Sequence, residues 1–246
     1  MGKNERMDPF LRYKNIFLDR AEKVPPYSIH KEDSMGFSLK NMAYFLNRKN
    51  CLKAFGLPET KPLLPIEGFT FNDHLFFEDV KTLKKVFYRS KKAHYLGYID
   101  QKKLFRGVFF QNEIKNNIVP KVAIEWISEV FGYGVFAREL ILPKTFVGEY
   151  VGVVKKRPLF MRDNPYAMRY PTTFLKKRDY YIDGEKMGNF TRFINHSPNP
   201  NLEIESVFFP PFTRMIFTAK RKIEPFEQLT FDYGKLYWKK RKFKDI

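Results

Sequence analysis

The chain changes character at about Val119, and that change limits its possible folds more than any other feature. Before it, apolar residues recur at helical spacing between proline-rich turns. Phe37 to Phe55 carries Leu39, Met42, Phe45 and Leu46 at helical intervals, and Leu57-Pro58 stops it. Lys61-Pro62-Leu63-Leu64-Pro65 reads as a connector, because each proline removes a backbone donor and restricts its predecessor. A second helical stretch, Asp79 to Ala93, places Val80, Leu83 and Phe87 on one face and lysines on the other. After Val119 come short β-rich segments, at Val122 to Ile127, Thr145 to Val154, Arg214 to Ala219 and Gln228 to Tyr233. The fold class is therefore α+β. A mainly helical basic region covers 1–118, a β-rich unit covers 119–236, and a short basic tail covers 237–246.

Composition narrows the classes of function. The 246 residues, 43% of them hydrophobic, suffice for one medium domain with an appendage or for two small domains. No stretch approaches the roughly 20 apolar residues that span a bilayer, so no membrane partner is expected. Met1 to Arg20 lacks the apolar run of a secretory signal. A soluble, cytoplasmic protein is expected, and export by a signal without an apolar core stays open. Cys51 is the only cysteine, and His30, His74, His94 and His196 are scattered, so no zinc ligand set is expected and no metal site is assigned.

The formal charge is +18, with +9 on either side of Pro120. A field of that sign attracts nucleic acid, anionic membranes or acidic proteins, though it also follows from a composition rich in lysine throughout. Lys81 to Arg106 interleaves basic residues with Phe87, Tyr88, Tyr95, Tyr98 and Phe105. That pattern suits either stacking plus phosphate contact or a solvated helix face above a core.

Four stretches in the β-rich half carry the chemistry. They are Gly132-Tyr133-Gly134-Val135-Phe136-Ala137, then Gly148-Glu149-Tyr150-Val151-Gly152, then Gly188 to Ser197 closing at Asn199-Pro200-Asn201, and last Glu227 to Gly234. Singly, each has an ordinary structural reading: glycine pairs mark turns, Asn195-His196-Ser197 makes a capped turn, and Phe231-Asp232-Tyr233 ends a core strand. Their order, spacing and identity together resemble the SET domain of protein-lysine methyltransferases. Arg192-Phe193-Ile194-Asn195-His196-Ser197 is the most specific string. The resemblance runs from about Val119 to Gly234.

The resemblance implies small curved sheets with a pseudoknot, a rare threading that brings Asn195-His196 against Phe231-Asp232-Tyr233. It implies S-adenosylmethionine as cofactor and a lysine-bearing protein as substrate. Tyr233 matches the catalytic tyrosine and Tyr150 the other tyrosine of the lysine channel. Phe231 matches the channel position that governs how many methyl groups are added, and a phenylalanine there implies di- or trimethylation. Gly132, Tyr133 and Gly134 are expected to approach the methionine end of the cofactor through backbone atoms. Asn195 is expected at its amino group and His196, through backbone atoms, near the adenine. Arg192 reads as structural, bracing the threaded segment.

Some residues depart from the family pattern. Pro198 stands where many members have a zinc-binding cysteine, and the cysteines that follow the domain in those members are absent here. Something else must close the site, and Trp238 is the candidate lid, with an ordinary core tryptophan as the alternative. A basic protein acting on a basic tail also needs carboxylates near its channel, and Glu203 and Glu205 are the candidates.

The looser match is to bacterial SET proteins of the chlamydial type, through Phe131 to Glu139 and Tyr233 to Lys239. It implies a histone or histone-like substrate and a bacterial effector. Secreted into a host, such an effector would be nuclear, with Lys239-Lys240-Arg241-Lys242 as an import signal. The alternatives are a non-catalytic SET-fold protein-binding module and a basic chromatin- or DNA-associated protein.

Overall fold

The computed structural model describes residues 68–160, 162–172, 180–239 and 241. The helix expected over Phe37 to Phe55, the connector at Lys61 to Pro65, Cys51, and Lys240 and Lys242 of the basic tail lie outside the described residues.

Helix α1, Val80–Tyr95, starts where the Asp79 carboxylate caps the Thr82 amide. Its buried face carries Leu83, Val86, Phe87 and Ala93. Leu83 and Phe87 sit as the periodicity requires, but Val80 is exposed and Val86 takes the place assigned to it. Val80 falls at the edge of the buried stripe that Leu83, Val86, Phe87, Ser90 and Ala93 form along the helix. Helices α2, Gln101–Phe109, and α3, Gln111–Asn116, follow.

Thirteen strands form four sheets among the described residues. Strands β3 (Val122–Ser128) and β4 (Gly132–Ala137) form a hairpin, and β13 (Gln228–Phe231) and β10 (Asn195–His196) extend it in the order β10-β13-β4-β3. The second sheet is β11 (Leu202–Phe209), β12 (Phe212–Ala219) and β5 (Phe146–Glu149). Its central strand β12 is buried at every position, the mark of a strand covered on both faces. On one side Phe212 meets Phe77 and Phe87, at ring distances of 5.2 and 6.2 Å.

The third sheet has the order β2-β6-β8-β7, from β2 (Phe76–Phe77), β6 (Val153–Lys156), β8 (Tyr180–Asp183) and β7 (Ala167–Tyr170). The smallest pairs β1 (Thr70–Phe71) with β9 (Met187–Gly188). Both β1 and β2 precede the helices in sequence, yet they pair in parallel with strands of the β-rich half.

The segment read as one strand, Thr145 to Val154, is two strands in two sheets. The chain breaks at Tyr150 to Gly152, where a Cβ on Gly152 would lie 2.4 Å from the Asp183 carbonyl oxygen. Only glycine permits that close approach. The break carries Tyr150 from the edge of one sheet to the next.

Candidate functional site

Parallel pairing of β10 with β13 sets Asn195 beside Thr230 and His196 beside Phe231. These are the segments that the expected pseudoknot must join. Asn201 locks the junction: its Oδ1 accepts from the Thr230 amide at 2.9 Å, and its Nδ2 donates to the Gln228 carbonyl at 2.8 Å and to the Glu227 carboxylate at 2.9 Å. The Gly188 to Ser197 string forms a 3-10 turn, Phe190–Phe193, capped by the Asn189 side chain. Asn189 Nδ2 also donates to the Glu149 carbonyl at 2.9 Å, and Thr191 Oγ1 to the same oxygen at 3.2 Å. One motif thus anchors the end of β5, immediately before Tyr150.

Of the residues singled out in the sequence, Tyr150, Phe231 and Tyr233 line a single open cleft of about 1360 Å³ with Gly132, Tyr133, Asn195, His196 and Trp238. Gly134 lies behind the wall. A Cβ there would come within 2.5 Å of Ile127 Cδ1 and 3.3 Å of Asn195 Nδ2, so glycine lets β4 close against the Asn195 side chain. Asn195 Nδ2 donates to the Tyr133 carbonyl at 3.1 Å, which fixes the amide and turns Oδ1 into an available acceptor. A smaller cavity of about 480 Å³ adjoins, lined by His196, Pro198, Asp232, Gly234 and Trp238. Trp238 ends helix α4, Lys235–Trp238, and lines both cavities. It is half-buried, with its ring 4.9 Å from His196 and parallel to Tyr233 at 6.2 Å.

His196 does more than its backbone suggested. Its Nδ1 accepts from the Tyr233 amide at 3.2 Å, so the side chain holds the Tyr233 backbone. The Tyr233 hydroxyl donates to the Ile194 carbonyl at 2.9 Å, and the Tyr150 hydroxyl to the Tyr166 carbonyl at 2.7 Å. Both phenol protons are committed to backbone oxygens, which leaves phenol lone pairs to accept from a ligand N–H. Burial pushes the Tyr233 phenol well above its usual range, with Tyr237, Tyr150 and Tyr166 adding to the shift. Burial does the same for Tyr150, and Arg192 opposes it only in part. Both phenols stay protonated at neutral pH.

Two tyrosines of this cluster are absent from the sequence reading of the site. Tyr237 packs its ring 4.6 Å from Tyr233, and its one signal is that it follows the motif tyrosine closely in sequence, since Tyr233 itself precedes helix α4. Tyr166 carries no such signal. It is placed by a relay in which Asp183 accepts from Asn164 Nδ2 at 2.9 Å and Asn164 Oδ1 accepts from the Tyr166 amide at 2.9 Å. Arg192 sits over the Tyr166 ring at 3.9 Å and donates to the Gly184 carbonyl at 2.9 Å, in keeping with a bracing residue.

Glu203 and Glu205 are not near the cleft. They lie on β11, where Glu203 pairs with Lys144 at 3.3 Å and Glu205 pairs with Arg106. The strand's place in the β11-β12-β5 sheet turns them to a different surface. Among the described residues no three His, Cys, Asp or Glu side chains cluster at metal-binding distance, and no helix is long and apolar enough to cross a membrane.

Residues 132–234, the stretch that holds these juxtaposed motifs, match the family model described as the SET domain. The chain is 35% identical to histone-lysine N-methyltransferase SUV39H1 of Xenopus laevis over 49% of this chain and 31% of that protein. It is 38% identical to histone-lysine N-methyltransferase EHMT1 of Homo sapiens over 44% of this chain and 9% of that protein. The chain thus spans less than a third of the length of either curated relative. A crystal structure of the Chaetomium thermophilum polycomb repressive complex 2 is 27% identical, with a TM-score of 0.42, over 49% of this chain and 16% of that one.

Proposed function

We propose that this protein transfers a methyl group from S-adenosylmethionine to a lysine of another protein. The observation that carries the reading is the convergence of Tyr150, Phe231 and Tyr233 with Asn195 and His196 on one cleft, within the segment that matches the SET domain. The residues present fit the cofactor. Asn195 Oδ1 is oriented to accept from an ammonium, and the absent Cβ of Gly134 lets that amide sit close to β4. His196 and Trp238 would wall the adenine end beside the smaller cavity. When bound, S-adenosylmethionine supplies a methyl already activated on a sulfonium.

The chain's own residues then have two tasks. A lysine amine has a reference pKa of about 10.4, so it enters as an ammonium and must lose its proton. An aromatic channel removes water from it and lowers that pKa. Tyr233 and Tyr150 accept from its N–H groups and aim the remaining lone pair along the line of attack. Neither is the base, because burial keeps both phenols protonated. The proton leaves by way of water in the open cleft.

Phe231 stands with its ring 4.7 Å from Tyr233 and 5.0 Å from Phe217. Having no hydroxyl, it offers no partner to an ordered water, so a methylated amine finds room to turn and react again. We therefore assign di- or trimethylation. The relatives are named for histone substrates, and a histone or histone-like protein is the substrate class proposed here. The narrower bacterial likeness, and with it an effector role in a host nucleus, rests on Phe131 to Glu139 and Tyr233 to Lys239 alone.

Calorimetric titration with S-adenosylmethionine, followed by tritiated methyl transfer onto histones, tests the reading. Binding with transfer is expected. Binding without transfer to any protein would make the chain a SET-fold binding module.

A further inference from the structure

The cleft that this reading assigns to the cofactor and the lysine together is lined by cations. Arg157, Arg162, Arg169, Arg192, Lys239 and Arg241 all contribute to its wall. Among the described residues the one carboxylate in that wall is Asp163, and it is committed to Arg241. Two carboxylates outside the wall are also matched, Glu185 by Arg162 and Asp183 by Lys155 at 2.8 Å. In the smaller cavity Asp232 is offset by Lys235 and Lys239. Arg157, Arg169 and Lys239 are exposed and form no ion pair among the described residues.

Within the histone or histone-like class proposed above, such a rim works against a lysine carried on a basic tail. The lysine ammonium must enter a field of its own sign, and each further Lys or Arg beside it adds repulsion. Glu203 and Glu205, the carboxylates that could have offset this, face elsewhere and are paired. Beyond the single carboxylate of the cofactor, carboxylates on the substrate are what the rim accepts.

We infer that the target lysine lies in an acidic stretch of its protein, and that Arg157 and Arg169 read the acidic residues beside it. This rests on the methyl-transfer reading for what enters the cleft, but the preference itself is a property of binding. Exposed pairs of this kind each contribute about two- to fivefold at low salt.

The test is fluorescence anisotropy of two labelled peptides sharing a central lysine, one flanked by glutamates and one by lysines, with the full chain at low salt. The glutamate peptide is expected to bind at least about tenfold tighter. The double variant Arg157→Glu/Arg169→Glu should erase or invert that preference. Lys91→Glu/Lys92→Glu makes the same charge change on exposed residues of α1, away from the cleft, and should leave the preference largely in place. Equal or tighter binding of the lysine peptide, or no binding of either, overturns the inference. So does an equal effect of the two double variants, because the preference would then reflect net charge alone. Adding S-adenosylmethionine to the same samples separates the two claims: a preserved preference with no methyl transfer refutes the activity and leaves the rim's selectivity standing.

Discussion

Replacing Tyr233 with phenylalanine removes one oxygen, and the structure separates its two consequences. The first is stability. The hydroxyl donates to the Ile194 carbonyl at 2.9 Å, and Ile194 is buried. Losing that bond leaves a carbonyl short of a partner, a cost of about 1–3 kcal/mol. The ring keeps its neighbours Phe231, Tyr237 and Trp238, and the His196 bond to the Tyr233 amide does not involve the hydroxyl. The variant should therefore fold, with a modest fall in melting temperature.

The second consequence is catalytic. A desolvated hydroxyl that orients the reacting nitrogen behaves like a donor or acceptor aimed at a transition state, and removing one such group costs about a hundred- to a thousandfold in kcat. Cofactor affinity should change little, because Asn195 and the Gly132 to Gly134 backbone would hold that ligand without the phenol. The assay pairs calorimetry with S-adenosylmethionine and a steady-state rate of methyl transfer. A variant with wild-type kcat refutes the role given to Tyr233, and a variant that loses cofactor binding to the same degree shows that the hydroxyl supports the cofactor instead.

Phe231→Tyr should shift the product toward monomethyllysine while sparing the first transfer, read from mass spectra over a time course. A wild type that stops at monomethyllysine with excess cofactor would place the limit elsewhere in the channel. Gly134→Ala sets a Cβ against the ends of the Ile127 and Gln228 side chains, which can swing aside, and 3.3 Å from Asn195 Nδ2, so it should cost at the low end of the roughly 1–3 kcal/mol of overpacking, with weaker S-adenosylmethionine binding measured by calorimetry. Burial raises the Asp183 carboxyl, but hydrogen bonds from Lys155 and Asn164 and from the Glu185 amide outweigh it and hold the group below its usual range. Its folded pKa is depressed, so its contribution to stability is present above the unfolded value of about 3.9 and is lost as pH falls through the folded value. Thermal melts should show stability declining below about pH 4, with a shallower decline in Asp183→Asn.

How much of this was legible in the sequence depended on distance along the chain. Leu83 and Phe87 lie on the buried face of α1 because helix periodicity is local, and Val80, at the edge of that stripe, is exposed. The segments at Val122, Arg214 and Gln228 are strands for the same local reason. Thr145 to Val154 looked continuous because alternation cannot show that Gly152 meets a carbonyl thirty-odd residues later. The pairings of Thr70–Phe71 with Met187–Gly188 and of Phe76–Phe77 with Val153–Val154 are parallel and remote, and strands of two residues carry no period. At the site, contiguous motif strings located Tyr150, Asn195, His196, Phe231 and Tyr233. Tyr166 escaped because it reaches Tyr150 through its backbone carbonyl, held by a relay from Asp183 through Asn164. Glu203 and Glu205 were misplaced because nearness to a motif in sequence does not fix the face of a strand.

The central claim, methyl transfer to lysine, meets its most direct test in one mass-spectrometric experiment. The full chain is incubated with S-adenosylmethionine carrying a deuterated methyl and with a mixture of histones and acidic lysine-containing proteins, and the digested products are sequenced. The account predicts deuterated di- or trimethyl groups on the side-chain nitrogen of lysines with acidic neighbours, absent from a parallel Tyr233→Phe reaction. Cofactor bound by the chain with no deuterated lysine in any protein would contradict it.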